Sequence, residues 1–133
     1  LDLTQYQTFV ESVISDPSKH NEAFLERFNE LTKNTLNVNI PMMMTSADGL
    51  GAEAGEYTEI VKKILYQGKP LDEANRFHMM RELGDVLFYW TMAVTALGYN
   101  PQEVLDENHN KLTQRYPDGF DVSKSENRKA NDI

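Results

Sequence analysis

Two acidic pairs in this sequence share one spacing. Glu53 and Glu56 enclose Ala54 and Gly55, and Glu82 and Asp85 enclose Leu83 and Gly84. At about 100° per helical residue, an i, i+3 pair lies about 60° apart, on one face. Two such helices packed antiparallel can bring four carboxylates to one point. Both pairs border apolar surface. Leu50, Ala54, Tyr57, Val61 and Ile64 form the stripe beside Glu53 and Glu56, and Asp85 runs directly into "VLFYW". Unpaired carboxylates are expensive to desolvate at such a border. Clustered oxygen ligands hold Mg²⁺ or Mn²⁺, and a divalent ion offsets their mutual repulsion. Either pair alone reads as solvated helix acids facing Lys62, Lys63 or Arg81. The repeated spacing, with a glycine inside each pair, favours a metal site.

A second constellation is basic. Asn108, Lys111 and Arg115 recur at i, i+3, i+7, one continuous stripe of a helix. Alone it would be an ordinary polar face. Beside an acidic metal cluster it supplies what a polyphosphate needs: an amide donor, a point charge and a bidentate fork. Other chemistries fit less well. A di-iron carboxylate bundle uses a Glu-x-x-His motif from each of two helices, and none occurs here. "GLGAEAG" has neither a preceding strand nor the Gly-Lys-Ser/Thr ending of a phosphate loop. His78 and His109 lack partners for triad chemistry and read as surface helix residues.

These residues must be positioned by helices, because the apolar pattern is helical almost throughout. Leu3, Tyr6, Phe9, Val10, Val13 and Ile14 mark a first helix that ends at the Pro17 turn. Residues 15–40 read as a short helix plus a loop. A long helix starts at Pro41 and runs to Leu65, with three glycines that imply either a break near Gly49 or close approach by a neighbour. Gly68 stops it. The next helix spans about 71–97 and ends at Gly98, and a further one is capped by Asn100 with Pro101 at its first position. Residues 121–133 read as a polar tail. No strand alternation is credible, so the fold class is all-α, of four-helix-bundle type. The stretch 86–97 is apolar nearly all round, as in a helix buried on every side. In so short a chain that predicts a homo-oligomer, at least a dimer, with helices packed across subunits.

Composition narrows the partners. The 133 residues suit one domain, and 21 acidic against 13 basic side chains leave a net charge of −8. That argues against binding nucleic-acid polymers, which requires a basic footprint. A small anionic ligand stays compatible, because a metal or local basic cluster inverts the field of one site. There are no cysteines, which removes disulfides, thiolate zinc sites and cysteine nucleophiles. No apolar run reaches the ~20 residues of a membrane span, so a soluble cytoplasmic protein is expected.

"GLGAEAGEYTEIVKKIL", "ELGDVLFYW" and "ENHNKLTQRYPDGF" together resemble the MazG-like all-α nucleoside triphosphate pyrophosphohydrolases in their short single-domain form. The family motif is a Glu-Glu-x-x-Glu helix followed, after an intervening segment, by Glu-x-x-Asp. Here Glu53-x-x-Glu56 is followed by Glu82-x-x-Asp85, and Asn108, Lys111, Leu112, Arg115 and Tyr116 fit the later string. The resemblance covers roughly residues 42–120 of a single domain, 1–120, in which 15–40 looks like an insertion.

The resemblance implies Mg²⁺-dependent hydrolysis of a nucleoside triphosphate to monophosphate and pyrophosphate, with Mn²⁺ as a substitute ion. Glu53, Glu56, Glu82 and Asp85 would hold the metal. Lys63, Asn108, Lys111 and Arg115 would hold the phosphates, across a subunit interface if the oligomer so arranges them. The family's first glutamate is Ala52 here, which leaves the general base to Glu53 or Glu59. Close alternatives are a dUTP-selective or phosphoribosyl-nucleotide pyrophosphatase. A different class is a catalytically silent helical oligomer that binds nucleotide. Trp90, Tyr89, Phe88 and Met42–Met44 are expected in the core and oligomer interface rather than in a base-stacking box.

Overall fold

The computed structural model describes residues 1–132, and among them the chain is all helical. Seven helices follow in order: α1 (Leu3–Val13), α2 (Asp16–Lys19), α3 (Asn21–Thr32), α4 (Ile40–Tyr66), α5 (Glu73–Ala96), α6 (Pro101–Arg115) and α7 (Val122–Glu126). Each long helix begins where a side chain can satisfy free backbone donors. Asn39 accepts from Met42 N at the start of α4, and Asp72 accepts from Asn75 N at the start of α5. At α6 the cap is reciprocal: Asn100 accepts from Glu103 N at 2.9 Å, and Glu103 accepts from Asn100 N at 2.8 Å. Gly68 and Gly98 take positive φ just past α4 and α5, the left-handed stop that glycine adopts without strain. The boundaries of α4, α5 and α6 therefore fall within a few residues of the sequence expectation, whereas α2 and α7 lie where a turn and a polar tail were expected.

The scaffold is the antiparallel hairpin of α4 and α5, the most extensive helix–helix contact, with α6 leaning on α5. Its open end is tied by Asn39 N donating to Ala96 O at 2.9 Å. The preceding loop is organised by one side chain. Asn34 donates to Leu31 O and Val38 O and accepts from Leu36 N and Val38 N. Such a fully used amide stands in for backbone pairing at Leu36 and Val38.

Gly49 does not break α4, which stays helical from Ile40 to Tyr66. It is instead a point of close approach to α5. A Cβ there would sit 2.3 Å from Tyr89 Cδ1 and Cε1 and 2.6 Å from Cγ. Gly49 facing Tyr89 also sets the register. The residue numbers of Gly49 and Tyr89, of Glu53 and Asp85, and of Glu56 and Glu82 all have the same sum, so successive turns of the hairpin place them level. Gly51 and Gly55 meet nothing within 4 Å.

Complete burial of the 86–97 stretch is not reached within one chain. Val94 and Ala96 are buried, while Leu87 and Phe88 are 59% and 60% exposed. Leu3, Tyr6, Phe9 and Val13 on α1 are exposed as well. The chain exposes 10689 Å², against about 7,100 Å² for a compact monomer of this mass.

Candidate metal and phosphate sites

The α4–α5 register delivers three of the four acids to one place. Glu53, Glu82 and Asp85 each offer a carboxylate oxygen, and these oxygens all lie within 4.8 Å of one another. Glu53 and Glu82 are half-buried and Asp85 is exposed. Glu56 lies outside this group, near enough to add its repulsion to Glu53. Local sequence explains the placement: i, i+3 spacing aims each pair to one side, and small residues (Ala54, Gly55, Gly84) keep the surface around them open. Ala52 is exposed on α4.

Glu82 has a fixing contact that the sequence reading missed. His78 Nε2, one turn earlier on α5, lies 2.8 Å from Glu82 Oε1, and the Glu82 side chain is only 14% exposed. His78-x-x-x-Glu82 was a readable i, i+4 signal.

The electrostatics fit a divalent ion. Desolvation, followed by repulsion from Asp85, Glu82 and Glu56, raises the Glu53 pKa above its ordinary 4.5. Three hard oxygen donors in mutual repulsion are a donor set suited to Mg²⁺ or Mn²⁺. The raised pKa has a consequence for the metal-free protein. Just above pH 4.5 the folded state holds a proton that the unfolded state has released, so the Glu53 contribution to stability is lost as pH rises through the folded pKa. In EDTA, Glu53→Gln should therefore match the wild type in acid and melt progressively higher than it towards neutral pH. Mg²⁺ should close that gap. Thermal melts against pH, with EDTA and with Mg²⁺, check this.

Glu59 is placed differently. It pairs with Lys62 at 2.8 Å and Lys63 at 3.2 Å, and hydrogen bonds from both lysines lower its pKa. Lys63 thus sits on Glu59 rather than at the three-acid group.

The basic stripe of α6 faces a separate cavity of about 420 Å³, lined by Lys111, Arg115, Lys124, Lys129 and amide side chains among others, and by none of the three clustered acids. Arg115 Nε and Nη2 donate to both carboxylate oxygens of Asp132, and Lys111 Nζ lies 4.0 Å from the same carboxylate. That pairing raises the Arg115 pKa and holds the Asp132 carboxyl below the usual range. Asn108 is exposed on α6 and is not among the cavity-lining residues. Asp132 is the second residue that the sequence reading missed. A contact across 17 residues has no local signature in a stretch that scans as polar tail.

The chain has relatives among known proteins. Gene 37 protein of Mycobacterium phage L5 is 36% identical over 81 residues, covering 60% of this chain and 71% of that protein. No solved structure matches. Residues 44–120 match the family described as the MazG nucleotide pyrophosphohydrolase domain. That span runs from the first turns of α4 to just past α6 and contains both acidic pairs and the basic stripe. The chain belongs to the MazG nucleotide pyrophosphohydrolase domain family.

Proposed function

We propose that this protein is a metal-dependent nucleotide pyrophosphohydrolase that converts a (deoxy)nucleoside triphosphate to the monophosphate and pyrophosphate. The observation that carries the reading is the convergence of Glu53, Glu82 and Asp85 from two helices. These three would hold Mg²⁺, with Mn²⁺ as substitute, and Glu56 stands beside them. The ion supplies charge stabilisation at the phosphates and a more acidic water. His78, in contact with Glu82, would help to orient it.

The reaction places water on the α-phosphorus, breaks the bond to the bridging oxygen and releases pyrophosphate. With Ala52 in place of a glutamate, the proton of that water falls to Glu53 or Glu59. Two lysines stabilise the charged form of Glu59, which weakens it as a base. Glu53 stands in the converging group that would hold the ion, beside which the attacking water would sit, and is the better-placed acceptor. Lys111 and Arg115 would take the phosphate chain, with Asn108 and Lys63 as supplementary donors. In a single chain Lys111 and Arg115 engage Asp132, not the three acids, so the pair would act across a subunit interface.

Self-association has its own support. The surface in excess of a compact monomer, about 3,500 Å², is far more than the roughly 800 Å² each partner gives a standard interface. An apolar groove along α5, lined by Met42, Leu87, Phe88 and Met92, is where a second copy would dock. Phe88→Glu should shift the protein to monomer in size-exclusion chromatography with light scattering. An unchanged mass would remove this face from the interface.

A panel of nucleoside and deoxynucleoside triphosphates with Mg²⁺, its products resolved by ³¹P NMR, tests the activity. Monophosphate and pyrophosphate are expected. Orthophosphate and diphosphate would contradict the reading, and absence of turnover across the panel would leave the silent nucleotide-binding oligomer.

A further inference from the structure

The ion pair in the α6 cavity sets a limit on how Lys111 and Arg115 can serve a phosphate. In a chain with so little buried surface, the side chains of Arg115 and Asp132 are only 10% and 15% exposed. The guanidinium meets the carboxylate fork to fork, and Lys111 Nζ lies 4.0 Å from Asp132 Oδ1. Two coplanar oxygens sharing negative charge are also what a phosphate presents to arginine. Asp132 thus fills the positions that two non-bridging phosphate oxygens would need. The segment that carries it follows α7, whose N-terminus is capped by Asp121 accepting from Lys124 N at 3.0 Å. Beyond α7, Asn127, Lys129 and Asn131 line the rest of the cavity.

We propose that Asp132 is an internal competitor for the substrate's phosphate chain: its carboxylate occupies the Lys111–Arg115 fork, and a pyrophosphate group binds there only as Asp132 moves aside. The proposal rests on the reading of Lys111 and Arg115 as phosphate ligands. Substrate affinity is then set partly by residues outside the matched span 44–120. Arg115 holds the competing carboxyl below its ordinary range, so the competition persists at neutral pH.

The test is pyrophosphate binding by isothermal titration, with nucleotide KM and kcat alongside, for wild type, Asp132→Asn and Arg115→Ala. Asp132→Asn should tighten pyrophosphate binding and lower KM by threefold or more with kcat unchanged, while Arg115→Ala weakens both. A smaller gain, or a loss, in Asp132→Asn while Arg115→Ala still weakens binding would overturn the competitor and leave the phosphate reading standing. Unchanged pyrophosphate affinity in Arg115→Ala would remove the phosphate reading, and the competitor with it. Should Asp132→Asn fold poorly, hydrogen exchange on the wild type decides. Saturating pyrophosphate should accelerate exchange at residues 127–132, and unchanged or slower exchange would overturn the proposal.

Discussion

Asp85→Asn should lose Mg²⁺-supported pyrophosphate release by about a hundredfold or more, because the ion it helps hold is worth several kcal/mol of transition-state charge stabilisation. The substitution keeps the shape of the side chain and removes one of three converging charges. Glu53→Gln and Glu82→Gln should behave alike. Glu56→Gln should lose less, since Glu56 lies outside the converging group. His78→Ala should weaken Mn²⁺ binding by about tenfold, the range for groups that orient ligands. A control separates lost chemistry from lost folding. Without metal, Asp85 repels Glu53, so Asp85→Asn should melt no lower than wild type in EDTA while binding Mn²⁺ poorly. An Asp85→Asn protein that turns over normally would remove Asp85 from the metal site.

The second large effect lies one helical turn away and is mechanical. Gly49→Ala should destabilise the protein by about 1–3 kcal/mol, although alanine is the better helix former by about 1 kcal/mol. The added methyl would fall 2.3 Å from the Tyr89 ring and 2.6 Å from its Cγ, the ring atom nearest the backbone. The ring cannot yield without moving α5. Because Gly49–Tyr89 and Glu53–Asp85 are level pairs of the same hairpin, the shift should also loosen the acidic cluster and weaken Mn²⁺ binding. Gly51→Ala, which meets open space, should be neutral or stabilising. In a Tyr89→Ala background the penalty at Gly49 should largely vanish, a coupling that chemical denaturation of the four proteins measures. A Gly49→Ala protein with wild-type stability and metal affinity would show that this contact does not set the register.

Much of the fold was legible because its signals are local. Asn100-Pro101 and the glycines at 68 and 98 mark helix ends by chemistry confined to a few residues, and the structure uses them so. The repeated i, i+3 acids announced a shared face, and the hairpin makes it one cluster for three of the four. Glu56 stands apart because its side-chain position depends on helix crossing, which spacing does not encode. Gly49 shows the same limit. Its presence implied a break or a close neighbour, and only the packed hairpin identifies Tyr89 as that neighbour. The apolar run 86–97 suggested burial on all sides, whereas Leu87 and Phe88 remain open in the single chain. Asp132 could not be read at all, because a carboxylate that returns to Arg115 leaves no periodicity behind.

One turnover experiment in H₂¹⁸O, with a nucleoside triphosphate and Mg²⁺ and the products weighed by mass spectrometry, tests the central claim most directly. Water attack at the α-phosphorus places a single ¹⁸O in the mononucleotide and none in the pyrophosphate. Label in pyrophosphate or orthophosphate, or no Mg²⁺-dependent product, would contradict it.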